Sequence, residues 1–309
     1  MKALVYEAPE VMNIRLVEPP APGPDEVLIR VAYSGICGSE LSGFLGQNSL
    51  RTPPLVFGHE LGGWIESAGE HVPVSTLEPG TAVTVNPLVT CGTCRYCVTG
   101  RQQLCGRRLL LGASLPGCNA DFVAVPAASV LPLPATTALR DAAMTEPAAC
   151  AIHAVEAGGT GPDSTALVVG AGPIGLFLLQ VLEQYGVTER YVAELNPARL
   201  AMARALGATP VGGDGDIAGD VLAATGGLGA DVTFDAVGTA ETRRACLSAT
   251  AAGGRLLLVG LHSDETAFPV NSVIRSEVSL SGVFAYSPAD FHTALDWLGS
   301  GRIGLRDGV

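Results

Sequence analysis

The chain is short of aromatic residues, at 5% of its length, and short of positive charge, with 18 Lys and Arg against 30 Asp and Glu. The resulting net charge of −12 excludes a nucleic-acid binder, whose surface the phosphates would repel, and no Lys/Arg-rich run relieves it. No uninterrupted apolar run reaches the roughly 20 residues that a membrane-spanning helix needs. Nothing near Met1 resembles a signal peptide: MKALVYEAP reads as a short alternating strand followed by turn residues. The expectation is a cytoplasmic protein with no nucleic-acid and no membrane partner. Internal repeats and low-complexity segments are also missing. What is present is an apolar share of 48% over 309 residues, enough for two buried cores.

The stretch ALVVGAGPIGLFLLQVLEQYG, residues 166–186, organises the chain. An apolar run of strand type breaks into Gly170, Gly172 and Gly175 where an amphipathic helical pattern begins. In a dinucleotide fold the first glycine permits the turn, the second admits a pyrophosphate and the third lets helix lie on strand. Pro173 and Ile174 open the helix, whose free amides and dipole favour phosphate. A second strand ends at Glu194, about twenty residues on, where an acid can accept from both ribose hydroxyls and repel a 2′-phosphate. NAD is therefore expected in preference to NADP, with Arg199 nearby as the residue that could instead pair with a phosphate. Asn196 and Pro197 cap the next helix.

Before this stretch, the first 145 or so residues are rich in Val, Gly and Pro, with short runs at 26–32, 62–67 and 81–86 between turns. That is the pattern of a small antiparallel, barrel-like β domain. Residues 141–157 read as a helix. From Thr165, strands near 166–170, 190–194, 231–235, 255–260 and 277–284 alternate with helices, which implies a doubly wound parallel sheet. The fold class is α/β with a separate antiparallel domain. A helix over 288–299 leads to a short tail.

Two groups of residues could hold metal. Cys91, Cys94, Cys97 and Cys105 crowd into fifteen residues, three at CxxC spacing. Four thiolates close tetrahedrally around zinc and leave no position for substrate, so this is a structural site. A redox CxxC pair would sit on a βαβ unit, and a nucleic-acid zinc ribbon conflicts with the acidic charge. The second group is dispersed: Cys37 in GICGSEL, His59 and Glu60 in FGHELGG, and Glu146 in TEPAACAIHAV. A thiolate, an imidazole and a carboxylate are compatible zinc ligands that leave a position open. Each also has a plainer reading: a buried small thiol, a hydrogen-bonded turn residue, an acid at a helix N-terminus.

These motifs, in this order and spacing, resemble the zinc-dependent medium-chain alcohol dehydrogenase family across nearly the whole chain. The Glu-Pro pair at 146–147 is similar to the polyol, sorbitol and threonine dehydrogenase branch. The resemblance implies a GroES-like catalytic domain over 1–148, a Rossmann NAD-binding domain over 149–287 and a return segment over 288–309, shorter than in many relatives. It implies one structural zinc and one catalytic zinc, the latter held by Cys37, His59 and Glu146, with Glu60 beside it either as a support to these ligands or as an exchangeable ligand. Ser39 keeps the hydroxyl of the first proton-relay step, whereas Ser42 stands where many relatives have a histidine. The implied reaction is hydride transfer between a secondary alcohol and NAD, with the polyol, sugar or cyclitol class implied by the branch alone. A homodimer or homotetramer, pairing through runs 255–261 and 278–284, is implied in the same way. Rival readings are a biosynthetic reductase of an activated carbonyl or double bond, and a cofactor-binding protein that has lost turnover.

Overall fold

The computed structural model describes residues 1–73 and 76–304. It divides into two compact units: Met1–Ala149 with Tyr286–Gly304, and Cys150–Ala285. Residues 305–309 of the return segment lie outside the described residues.

The first unit begins with β1 (Lys2–Ala8), β2 (Val11–Leu16), β3 (Glu26–Ser34), α1 (Gly38–Phe44), β4 (Leu55–Val56) and β5 (Leu61–Ala68). It continues through β6 (Ala82–Val85), β7 (Leu88–Val89), α2 (Arg95–Val98), β8 (Leu109–Leu110), β9 (Phe122–Pro126) and β10 (Val130–Pro132). Two helices follow, α3 (Leu139–Ala142) and α4 (Thr145–Gly158). The single helix expected over 141–157 is thus broken at 143–144, where the Thr145 hydroxyl bonds back to the Ala142 carbonyl. A side chain competing for a backbone acceptor ends one helix and starts the next.

A five-stranded antiparallel sheet in the order β10-β6-β5-β3-β9 carries the core of this unit. Alternate residues face inward, as a strand period of two requires: Val27 and Ile29, Val83 and Val85, Val123 and Val125 are all buried. A second antiparallel sheet, β2-β1-β4, and the pair β7-β8 complete the strands. Thr84 accounts for how the helical segment is seated. Its buried hydroxyl lies within hydrogen-bond reach of the Leu61 carbonyl at 2.8 Å and the Ala142 carbonyl at 3.1 Å, and Gly62 has no side chain to collide with the Leu139 carbonyl.

In the second unit the elements are β11 (Thr165–Val169), α5 (Pro173–Gln184), β12 (Glu189–Ala193), α6 (Pro197–Ala205) and β13 (Thr209–Pro210). After them come α7 (Ile217–Ala224), β14 (Ala230–Asp235), α8 (Ala240–Ala249), β15 (Thr250–Leu258), α9 (Val270–Ser276) and β16 (Ser279–Gly282). The last helix, α10 (Pro288–Gly299), belongs to the first unit. All six strands pair in parallel in the order β13-β12-β11-β14-β15-β16. Numbered within the sheet this is 3-2-1-4-5-6, the order of the dinucleotide-binding fold, with its switch point between β11 and β14. The central strands read as continuous apolar runs because both faces are covered: Ala166, Leu167 and Val168 are fully buried. The expected strand at 277–284 is shorter, since Val270–Ser276 forms a helix that ends at Glu277 in the left-handed region, φ 52°.

Each glycine of the turn has its own geometric reason. Gly170 sits at φ +94°, a conformation that L side chains rarely adopt. A Cβ at Gly172 would meet nothing within 4 Å, so the space in front of the α5 N-terminus is open. A Cβ at Gly175 would collide with the Gly170 carbonyl, which is how closely helix lies on turn. Overpacking of this kind costs about 1–3 kcal/mol. Gly175→Ala should lower the denaturation midpoint of the second unit accordingly, measured by urea unfolding, and an unchanged midpoint would contradict the close approach.

Candidate active site

Strand register assembles the first cluster. β3 pairs with β5 so that Ser34 lies opposite Leu61, and the residues that follow Ser34 are therefore brought beside those that precede Leu61. The Gly35 amide donates to the Glu60 carbonyl at 2.8 Å, continuing the ladder one step past the strand ends. Cys37, in extended conformation, then becomes the N-cap of α1. Cys37, His59 and Glu60 present a thiol, an imidazole and a carboxylate whose ligand atoms all lie within 4.8 Å of one another. His59 and Glu60 are buried. The Glu60 carboxylate covers Gly35, where any side chain would strike it.

Glu146 stands outside this tightest group, in the first turn of α4, yet its charge acts on both His59 and Glu60. Burial pushes the Glu60 carboxyl up to about 8, and the Glu146 charge adds to the push. Burial disfavours protonation of His59, but its contacts with Cys37 and Glu40 and the charge of Glu146 outweigh this and hold its pKa well above the usual imidazole value. The common cause is negative charge gathered out of water, which is costly until a cation joins it.

Two residues that sequence reasoning missed, Glu40 and Arg51, support the cluster. Glu40, 4% exposed, accepts from the Gly58 amide at 2.9 Å and from Asn119 at 3.4 Å, and lies 3.1 Å from His59 Nδ1. A carboxylate against one ring nitrogen fixes the ring and leaves the other for a ligand role. Arg51, also 4% exposed, donates from Nη2 to Ser39 Oγ at 3.0 Å, and Ser39 Oγ donates to Cys37 Sγ at 3.2 Å. Burial lowers the Arg51 pKa while the charges of Glu40 and Cys37 act in the opposite sense. Ser42 turns its hydroxyl to the Ser39 carbonyl at 2.9 Å. The one available signal was Glu40 lying three residues after Cys37 in the same helical turn.

The four-thiol loop is pinned at its neck by β7 and β8, paired Leu88 to Leu110 and Val89 to Leu109. Its sulfurs lie 3.8 Å apart for Cys91 and Cys97, 3.5 Å for Cys94 and Cys97, and 3.6 Å for Cys91 and Cys105. A disulfide needs about 2.05 Å. A tetrahedron with zinc-sulfur bonds of about 2.3 Å has edges near 3.8 Å, so the spacing fits the ion and not a bridge. Amides of Thr93 and Cys94 lower the Cys91 thiol to about 5, which puts it in its ligand form. Cys118 is fully buried and pushed up to about 12, an inert thiol.

In the second unit, Glu194 follows the end of β12. Its Oε2 accepts from the Ala171 amide of the glycine turn at 2.8 Å, and its Oε1 accepts from the Asn196 amide at 2.7 Å. A carboxylate has about four acceptor positions, so two remain for hydroxyl groups. Arg199 is exposed on α6, where its amide shares the Asn196 cap. Gly172 caps α5 without any side-chain bond, and Pro173 takes the first helical position. Amides at such an end favour an anion.

The order of the parallel sheet and the shape of its first turn make this a dinucleotide-binding fold, and a thiol, an imidazole and a carboxylate within reach of one another are donors that suit zinc. The comparisons give the family. Residues 23–135 match the family profile described as alcohol dehydrogenase GroES-like domain, and residues 173–300 match that described as zinc-binding dehydrogenase. L-idonate 5-dehydrogenase of Vitis vinifera is 33% identical over 297 residues, spanning 93% of this chain and 80% of that protein. Sorbitol dehydrogenase of Arabidopsis thaliana is 32% identical over 297 residues, with 93% and 81% covered. Among solved structures, an alcohol dehydrogenase from Escherichia coli CFT073 complexed with NADH superposes with a TM-score of 0.90 at 30% identity, covering 98% of this chain and 89% of that one. A protein of Sinorhizobium meliloti 1021, described as a zinc-binding dehydrogenase and bound to NADP, gives 0.90 at 29% identity, with 98% and 90% covered. The chain belongs to the zinc-dependent alcohol dehydrogenase family. Among the described residues no helix is long and apolar enough to cross a membrane.

The raised acid and imidazole set a pH dependence for the metal-stripped protein. Folded Glu60 keeps a proton up to about 8 that the unfolded chain releases near 4.5, and His59 is displaced in the same sense. At these two groups the folded state binds more protons in that window, so the stability they contribute is present below the unfolded values and lost as pH rises toward 8, while the lowered Cys91 thiol of the stripped four-thiol loop acts in the opposite sense. The chelator-treated natural chain should therefore lose melting temperature relative to chelator-treated Glu60→Gln between about pH 5 and pH 8. A difference between the two melting temperatures that stays constant with pH would contradict the burial of Glu60.

Proposed function

We propose that this protein is a zinc-dependent dehydrogenase that moves a hydride between NAD and a secondary alcohol of the polyol, sugar or cyclitol type. The observation that carries the reading is the convergence of Cys37, His59 and Glu60 within 4.8 Å beside Ser39. The donor set of sulfur, nitrogen and oxygen suits zinc, and the excess of buried acid around it is offset by a divalent cation. In this reading Cys37, His59 and Glu146 hold the ion, Glu60 is the ligand that exchanges, and the four-cysteine loop holds a second, structural zinc. When bound, the catalytic ion supplies Lewis acidity to the substrate hydroxyl, and NAD supplies the hydride acceptor.

The chain's own residues do the rest. A serine hydroxyl has one proton and two lone pairs. At Ser39 the proton points to Cys37 and one lone pair takes the Arg51 donor, so the remaining lone pair is free to accept from the substrate hydroxyl. Arg51 cannot take up a proton itself. Its role is to hold Ser39 and to bring positive charge toward the oxygen that loses its proton. As Ser39 takes the substrate proton it releases its own, turned from Cys37, to water or a cofactor hydroxyl, since Ser42 points to backbone where a relay imidazole would stand.

The preference for NAD rests on Glu194, anchored by two amides, with Arg199 as the exposed alternative. The hydroxyl-rich substrate class is supported by the idonate and sorbitol enzymes among the relatives. Among the described residues no cysteine is joined in a disulfide, which fits a reducing compartment, and we place the enzyme in the cytoplasm. A homodimer or homotetramer, with β16 at the sheet edge, completes the reading, and light scattering tests it. In this reading 1–148 is the catalytic domain, joined by the described part of the return segment, 288–304, and 149–287 is the NAD-binding domain.

Metal analysis beside a polyol screen tests the centre. The natural chain should carry two zinc ions per subunit, and Cys37→Ser should lose one of them together with NADH formation. Lost activity with both ions retained would place Cys37 elsewhere. Arg51→Met removes a charge-assisted bond of about 1.5–3 kcal/mol, so kcat should drop by at least tenfold while KM for NAD changes little.

A further inference from the structure

The parallel sheet has two halves. β11, β12 and β13 lie on one side of the switch point, with Glu194 marking the adenosine side, and β14, β15 and β16 lie on the other. If NAD is the cofactor, as proposed above, the loops after β14 and β15 flank its nicotinamide half, because ligands of this fold bind outside the carboxyl ends of the strands.

Those two loops are tied to each other. Asp235, the last residue of β14, is fully buried, and its Oδ1 accepts from the Val237 amide at 3.1 Å and the Gly238 amide at 2.9 Å. Its carbonyl accepts from Val259 and Gly260, the first residues past β15, and Ser263 donates to the Gly238 carbonyl at 2.8 Å. Packing is as close as backbone allows, since a Cβ at Gly238 would collide with Gly260. The loop after β14 also presses on the nucleotide turn: a Cβ at Gly170 would lie 2.6 Å from Val237 Cγ2.

One side chain joins these pieces from behind. Arg243, on α8 and 9% exposed, donates from Nη1 to Thr266 Oγ1 at 2.9 Å and from Nη2 to the Gly260 carbonyl at 3.4 Å. Its Nε stands 3.7 Å from Asp235 Oδ2, and neither of these two buried atoms has a hydrogen-bond partner among the described residues. A buried charge pair adds little to stability compared with apolar side chains of the same volume, because desolvation offsets the attraction. What the planar, five-donor guanidinium supplies is direction: it fixes several segments at once. We propose that Arg243 is a positioning residue for the nicotinamide half of the cofactor, acting through Asp235, Gly260 and Thr266. By holding both loops in place before the cofactor arrives, it removes the ordering cost from binding.

Calorimetric titration of the purified enzyme with NADH and with ADP separates the two halves. Arg243→Met should weaken NADH by at least tenfold, about 1.4 kcal/mol, and leave ADP within about twofold of the natural chain. Arg243→Lys, which keeps the charge but not the fork, should recover part of the loss. Equal weakening of both nucleotides would reduce Arg243 to a structural residue and overturn the inference, as would unchanged NADH affinity. Should the methionine variant fail to fold, Thr266→Val decides: about threefold weaker NADH with ADP unchanged supports the proposal, and no change refutes it. A natural chain that binds neither nucleotide would instead sink the NAD reading itself, a result distinguishable from failure of the Arg243 role.

Discussion

The concentration of acid around one imidazole is the constraint from which the rest of the first unit follows. Glu40, Glu60 and Glu146 act on His59 or on one another beside the Cys37 thiol, and Glu40, His59 and Glu60 are out of water. A folded chain tolerates such a group only if protons, an internal cation or an external cation offset it. Arg51 is the internal cation, and the raised Glu60 and His59 are the protons held in the absence of metal. In the proposed reading a divalent ion offsets what remains, and the sulfur, nitrogen and oxygen donors suit zinc.

The two cysteine-containing centres differ in how they are built. The loop at 91–105 carries all its ligands within one local segment, and the short β7-β8 pair closes its neck. Its geometry is set by spacing, with sulfurs 3.5 to 3.8 Å apart. The other cluster depends on strand register, since a one-residue slip between β3 and β5 would carry His59 and Glu60 away from Cys37. Its support comes from farther still: Glu40 reaches Gly58 and Asn119, and Thr84 seats the helical segment that bears Glu146. A local loop suits an ion that only stabilises, and a long-range assembly suits one that must keep an open face.

In the second unit the glycines and the buried Arg243 divide a related task. Gly170, Gly172 and Gly175 shape the turn before α5, where Glu194 is held by two amides, and in the proposed reading this is the adenosine and phosphate side. On the other side of the switch point, loops without regular structure are fixed by backbone bonds and one guanidinium. Loops carry function on rigid scaffolds only if something holds them, and here backbone bonds, close backbone packing and the Arg243 guanidinium do so together.

By itself the sequence determined the elements whose signal is local: the strand-turn-helix at 165–184, the acid at Glu194, the four thiols at CxxC spacing and the alternation of strands and helices after Thr165. Such features depend on neighbours a few residues apart, and steric and hydrogen-bonding rules at that range need no knowledge of the fold. The break between α3 and α4 was decided by a side chain competing for a backbone acceptor, and the start of β16 by the helix that ends at Glu277. Only the tertiary structure decided that Arg51 meets Ser39, that Glu40 backs His59 and that Arg243 faces Asp235, Gly260 and Thr266. A lone Arg or Glu carries no pattern along the chain. Its role is set by which charge it is buried against, and that is fixed only when distant strands come into register.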